Sequence, residues 1–321
     1  KYYFLSRPRR FGKSLLLSTI EAYALGKKDL FKGLALEKLE KDWTVYPVLH
    51  LDLNTQKYDT PESLTNVLEE NVQNWEALYG SSSGEIGVAR RFQGIIRRAC
   101  EQTGRRVVIL IDEYDKPMLQ AIGNKALQNE YRSTLKAFYG ALKSMDGCIR
   151  FALLTGVTKF GKVSVFSDLN NLRDISMIDQ YAEICGISEK EIHTWFEEDI
   201  HELAAATGMS YEETCKELKT NYDGYHFTEN AIGMYNPFSL LNTFANRRFG
   251  SYWFETGTPT YLVELLKLHH FPIEDLEHIV TSQPVLDSID TASTDPIPVI
   301  YQSGYLTIKG YNRIFFTSFS N

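Results

Sequence analysis

Lys13 and Ser14, directly after Gly12, and the acidic pair Asp112-Glu113 far downstream are the residues whose types suit phosphate chemistry. In a tight loop that leads into a helix, backbone N–H groups point at phosphate oxygens. A lysine there reaches the β/γ-phosphates and a hydroxyl holds Mg²⁺. Here Lys13 is that lysine and Ser14 that hydroxyl. The loop Arg7-Pro8-Arg9-Arg10-Phe11-Gly12-Lys13-Ser14 follows the apolar run Tyr2-Tyr3-Phe4-Leu5 and precedes the helical-looking Leu15 to Tyr23. The expected contacts to ATP come from Arg9, Arg10, Phe11, Gly12, Lys13, Ser14 and Leu15, with the backbone from Gly12 to Leu15 cradling phosphate. The pattern G-x-x-x-x-G-K-[ST] asks for glycine at position 7, where this chain has Arg7; Ser6 is the nearest small residue. Gly26-Lys27 and Gly161-Lys162 repeat the dipeptide without a following Ser or Thr. Taken alone, Arg7 to Ser14 also reads as a basic turn capping a helix.

The second string shifts that balance. Val107-Val108-Ile109-Leu110-Ile111 is a continuous apolar run, the pattern of a strand buried on both faces of a parallel sheet. Asp112-Glu113 follows where the strand should end, and ligands of open α/β sheets sit beyond the carboxyl ends of strands. Asp112 is thus expected in the Mg²⁺ shell and Glu113 beside the attacking water. Phosphoryl transfer asks mainly for positioning and charge stabilisation, so a carboxylate next to the metal-binding one suits hydrolysis. No signal of a second substrate pocket supports a kinase, and the guanine-reading string Asn-Lys-x-Asp is absent.

A third apolar run, Cys148 to Thr158, ends in hydroxyls. Thr155 is the first choice for a group sensing the γ-phosphate and Thr158 the second; a threonine ending a strand also has the ordinary reason of β propensity. Arg150 and Arg173 are the choices for an arginine completing the charge clamp. Surface ion pairing is the simpler account of both.

Jointly these strings resemble the AAA-ATPase-like proteins of bacteria. The resemblance runs over nearly the whole chain. It is carried by Tyr3 to Leu17, by Leu110-Ile111-Asp112-Glu113-Tyr114-Asp115-Lys116-Pro117 and by Leu154-Thr155-Gly156-Val157-Thr158-Lys159. Further matching strings are Tyr222-Asp223-Gly224-Tyr225, Tyr235-Asn236-Pro237-Phe238-Ser239 and Tyr252 to Pro259. In that family the first glycine of the loop is typically missing too. The resemblance implies an additional-strand ATPase domain followed by a helical lid. Relatives commonly continue into a PD-(D/E)xK nuclease-like domain. No such core is visible here, and the chain reads as an ATPase region taken from a longer protein.

Composition bounds the rest. The 321 residues exceed the usual single-domain range, and 43% hydrophobic content points to a packed core. No apolar run is long enough for a membrane span. Cys100, Cys148, Cys185 and Cys215 are scattered, without zinc spacing, as in reduced thiols of a cytoplasmic protein. A net charge of −7 argues against a generally basic nucleic-acid surface. The pairs Arg90-Arg91, Arg97-Arg98 and Arg247-Arg248 read as solvated helix faces. Nucleic acid, a homo-oligomer and a nuclease-like partner domain stay open.

The patterns predict strands at 2–6, Leu49 to Leu53, 107–111, 148–158 and Asp174 to Ile178. Helices are expected at 13–25, Pro61 to Tyr79, Val88 to Thr103 and Asn129 to Met145. Lys159 to Asn171, with Gly161, Ser164, Ser167, Asp168 and Asn170, reads as an active-site loop. Five strands with helical crossovers fit a doubly wound parallel sheet. The expected division is an ATPase domain over 1–187 and a mainly helical lid over 188–321. Helical signals there include the capping box Ser188-Glu189-Lys190-Glu191, Tyr211 to Thr220, Pro237 to Ala245 and Thr258-Pro259 to His269. Tyr301 to Phe316 reads as a hairpin around Gly310. The aromatics of Tyr222 to Phe227 read as lid core. The expected function is Mg²⁺-dependent ATP hydrolysis that moves the lid or an effector. The alternative is a nucleotide-binding switch or scaffold with little turnover that regulates a nuclease-like domain.

Overall fold

The structure, a computed structural model, describes residues 1–159, 162–167, 169, 171–228, 233–255, 260–268, 270, 279–282, 285–286 and 296–309. Packing divides the chain into two units that are discontinuous in sequence. One holds Lys1–Arg7, Lys13–Asp174 and Pro259–Gln302; the other holds Pro8–Gly12, Ile175–Thr258 and Ser303–Asn321.

The first unit is built on a parallel sheet of five strands: β1 Tyr2–Ser6, β2 Val48–Asp52, β3 Val107–Asp112, β4 Ile149–Gly156 and β5 Leu172–Asp174. Their spatial order is β2-β3-β4-β1-β5, with every neighbouring pair parallel. β3 is buried at all of its residues, as its unbroken apolar run requires. β4 lies between β1 and β3. Its register sets Leu154 opposite both Phe4 and Ile111, so the carboxyl ends of the three strands fall side by side.

Seven helices of this unit are α1 Lys13–Ala24, α2 Ala35–Leu39, α3 Pro61–Tyr79, α4 Val88–Thr103, α5 Lys116–Gln120, α6 Lys125–Ser144 and α7 Lys162–Val165. Two more lie at Thr260–Leu268 and Ile297–Gln302. α3 begins with Pro61 at its first turn behind the reciprocal cap of Thr60 and Ser63. α4 stops at Gly104, whose φ of 63° is left-handed. The two helices are tied by charge. Arg91 pairs with Glu69 and Glu76, while Arg97 and Arg98 reach Glu85. Arg91 and Arg98 are therefore not solvated faces, because the partner helix and the turn before α4 bring carboxylates to them. Gly94 makes the room: a Cβ there would meet the Glu85 carboxyl carbon at 2.1 Å.

Other expectations are also corrected. The last strand is Leu172–Asp174, not Asp174 to Ile178. Ile175 and Ser176 are buried, but the chain turns there, with the Ile178 N–H on the Ile175 carbonyl at 3.5 Å. Burial without ladder pairing is what the apolar run signalled. α6 starts earlier, at Lys125, because the Asn124 side chain accepts the Leu127 N–H at 3.1 Å. Tyr301 and Gln302 close a fully buried helix instead of opening a hairpin. Gly310 to Phe316, Gly161, Asp168, Asn170, Thr258, Pro259 and His269 lie outside the described residues.

The helical unit carries a two-stranded antiparallel ladder, β6 Ile187–Ser188 with β7 Met234–Tyr235. Its helices are α8 Glu189–Trp195, α9 Glu197–Thr207, α10 Tyr211–Tyr222, α11 Pro237–Asn246 and α12 Tyr252–Glu255. Ser188-Glu191 and Ser210-Glu213 form reciprocal capping boxes at the starts of α8 and α10. Ile192, Ile200, Leu203, Leu218, Tyr222, Tyr235, Leu240 and Phe244 make one core. Of the aromatics read as core, Tyr222 joins this cluster. Tyr225 and Phe227 pack on Phe11 instead.

Candidate functional site

The aligned carboxyl ends of β1, β4 and β3 gather five of the residues picked from the sequence. Lys13 and Ser14 open α1, Asp112 closes β3, Glu113 follows it, and Thr155 is the next-to-last residue of β4. The Ser14 hydroxyl donates to Asp112 Oδ2 at 2.5 Å. The Thr155 hydroxyl donates to Asp112 Oδ1, which also accepts the Glu113 N–H at 3.0 Å. Both oxygens of one carboxylate thus carry a hydroxyl. Lys13 is 4% exposed, and its ammonium lies 3.3 Å from Glu113 Oε1 and donates to the Arg7 carbonyl at 3.1 Å. A cation this buried needs such partners.

Arg7, at the place of the missing glycine, is buried. Its N–H donates to the Gly156 carbonyl at 3.2 Å and its guanidinium to the Ser6 carbonyl at 3.0 Å. Its bulk is taken up inside the sheet unit, and its carbonyl serves Lys13.

Glu113 has a φ of 54°, left-handed, which costs a residue with a Cβ roughly 1 kcal/mol or more. The kink turns the chain off β3 so that the Tyr114 N–H reaches back to the Thr155 carbonyl at 2.9 Å. Its neighbours Asp112 and Tyr114 do not share this left-handed backbone.

One residue of this group was missed in the sequence. Asp115 is completely buried and accepts the Thr158 N–H at 2.6 Å, the Thr158 hydroxyl at 2.7 Å and the Val157 N–H at 3.3 Å. It stands at the N-cap position of α5, directly before Lys116-Pro117, but makes no capping bond to that helix. Its carboxylate instead ties the turn after β3 to the chain leaving β4. Burial first, and the nearby Glu113 charge second, push its carboxyl up to about 7, against the hydrogen bonds of Thr158. Thr158, the second sensor choice, is engaged by Asp115, not Asp112.

Arg150 and Arg173 do not join this group. Arg150 stands near the start of β4, its guanidinium 5.5 Å from the Tyr46 ring, and Arg173 is exposed on β5. A groove of about 790 Å³ lies at the opposite end of the sheet, lined by Tyr46, Pro47 and Val48 at the start of β2 and by Arg105 ahead of β3. Of the remaining loop residues, Leu15 is exposed on α1, while Arg9, Arg10, Phe11 and Gly12 pack as part of the helical unit.

Residues 1–166 match the model of the AAA-ATPase-like family, described as Predicted AAA-ATPase, and the chain belongs to that family. A curated relative is named as an uncharacterized protein in the vnfD 5′ region of Azotobacter chroococcum mcd 1. It is 37% identical over 314 residues, covering 98% of this chain and 58% of the relative. The chain therefore spans a little over half the length of the relative it matches. No solved structure matches. Among the described residues no helix is long and apolar enough to cross a membrane.

Proposed function

We propose that the chain binds ATP with Mg²⁺ at the joined ends of β1, β3 and β4 and hydrolyses its terminal phosphate. The reading is carried by one observation: Ser14 and Thr155 converge on the two oxygens of Asp112 while Lys13 meets Glu113. Family membership supports it, since the family is described as an ATPase.

The donor set fits Mg²⁺. The ion favours one or two carboxylates with hydroxyl, water and phosphate oxygens over an all-protein cage. Ser14 and Asp112 offer that, and among the described residues no group of three His, Cys, Asp or Glu offers a cage. Ser14 and Asp112 would hold the ion, which would supply positive charge against the negative charge that develops in phosphoryl transfer. Lys13 and the N–H groups from Gly12 to Leu15 hold the β/γ-phosphates, with Arg9, Arg10 and Phe11 completing the loop. Glu113 accepts a proton from the attacking water and aims it, and Thr155 senses the γ-phosphate through its bond to Asp112. We take the sheet as the additional-strand, doubly wound kind, with an ATPase domain over 1–187 and a helical lid over 188–321 that moves with nucleotide state. Four free thiols support a cytoplasmic setting.

Phosphate release from ATP with Mg²⁺, measured beside nucleotide binding, tests this. Lys13→Ala should abolish binding. Glu113→Gln should keep binding and lower turnover about 10²- to 10⁴-fold. Wild-type turnover in Glu113→Gln would sink the water-aiming role. Arg7 in the glycine position favours a second reading, a nucleotide switch that binds without multiple turnovers; binding with no phosphate release in wild type would select it.

A further inference from the structure

The loop residues ahead of Lys13 are held by aromatic side chains from three separate stretches of the helical unit. Phe11, 4% exposed, clusters with Phe227 and Met234. Its ring lies 5.3 Å from that of Tyr225 and 5.4 Å from that of Phe227. The Arg10 guanidinium lies 4.7 Å over Phe238, at the start of α11. The Arg9 guanidinium lies 5.9 Å over Trp253 in α12, and the Trp253 indole N–H donates to the Arg9 carbonyl at 3.2 Å. Each loop residue from 9 to 11 has its own aromatic partner. A backbone bridge between Tyr225 and Met234 steadies the Phe11 cluster.

The loop needs such support. Arg10 has a φ of 68° and Gly12 one of 93°. Glycine adopts this region freely and arginine does not, so an unsupported Arg10 would leave it. Conformations of this kind persist where the surroundings over-determine them.

We infer that Tyr225, Phe227, Phe238 and Trp253 are positioning residues for the phosphate loop: through Arg9, Arg10 and Phe11 they hold the loop backbone up to Gly12 in the conformation that receives a phosphate. Side-chain contacts thereby supply the order that a glycine-rich loop obtains from its own backbone. The inference rests on the nucleotide reading above. It adds that affinity depends on aromatic residues more than two hundred positions downstream of the loop.

The test is a titration of the full chain with a fluorescent ADP analogue. Wild type is compared with Phe238→Leu, Trp253→Leu and Trp253→Phe, each also melted without nucleotide. The two leucine variants should bind about tenfold more weakly while melting within a few degrees of wild type. Trp253→Phe, which keeps a ring over Arg9 but loses the indole N–H, should recover part of the affinity. A second readout is trypsin. Arg7-Pro8 resists cleavage because of its proline, so cutting after Arg9 and Arg10 reports release of the loop and should be faster in the leucine variants. Wild-type affinity with unchanged cleavage in both leucine variants would overturn the positioning role alone. Absence of analogue binding in wild type would overturn the nucleotide reading, and this inference with it. If a leucine variant loses its melting transition, Trp253→Phe decides: affinity equal to wild type refutes the indole's part.

Discussion

Asp115 receives opposed instructions from its surroundings. Complete burial and the Glu113 charge favour the proton, while Thr158 and Val157 donate to the ionised form; the carboxyl settles at about 7. An aspartate in an unfolded chain titrates at about 3.9. Between those values the folded chain retains a proton the unfolded chain has released, so this residue's contribution is greatest below pH 4. It declines as pH rises toward 7 and is level above. Denaturant titrations at pH 5 and pH 8 should therefore show a loss of roughly 2 kcal/mol in wild type that Asp115→Asn lacks. Equal losses in both would assign the slope to another group. Lys13, Ser14, Asp112 and Glu113 could be picked from the sequence because each stands in a short string between a strand and a helix. Asp115 could not be, because its partner Thr158 is 43 residues away. Arg7 departs from the loop motif in the sequence, and only the structure shows that its side chain is received in the interior.

At the scale of elements, Gly156 is a point of close approach between β4 and the turn after β3. A Cβ there would stand 2.7 Å from Asp115 Oδ1 and from the Tyr114 ring. Neither neighbour has room to yield, since both side chains are fully buried. Gly156→Ala should cost about 1 to 3 kcal/mol, read as a lower denaturant midpoint with the slope unchanged. An unaltered midpoint would mean that the two turns can separate without loss. Element boundaries were readable where chemistry is local. Pro61 opens α3, Gly104 ends α4, and Ser188 with Glu191 caps α8, all as their sequences announce. They were not readable where tertiary packing decides. β5 is a strand because Tyr2 to Phe4 pair with Leu172 to Asp174, not because of its own short pattern.

For the molecule as a whole, ligand binding and folding are linked. ATP with Mg²⁺ at a hundred times its Kd should stabilise wild type by about 2.7 kcal/mol, and Lys13→Ala by nothing measurable. A wild-type midpoint that ignores nucleotide would refute the proposed site. The order of the sheet has a further consequence, in time. β1 neighbours β4 and β5, and Tyr2 stands opposite Ala152 and Leu172. During synthesis at about 5 to 20 residues per second, the strand ahead of the phosphate loop waits roughly 8 to 30 seconds for its first sheet partner to be made. For that interval Tyr2 to Leu5 is an apolar segment that lacks both of its sheet neighbours, β4 and β5.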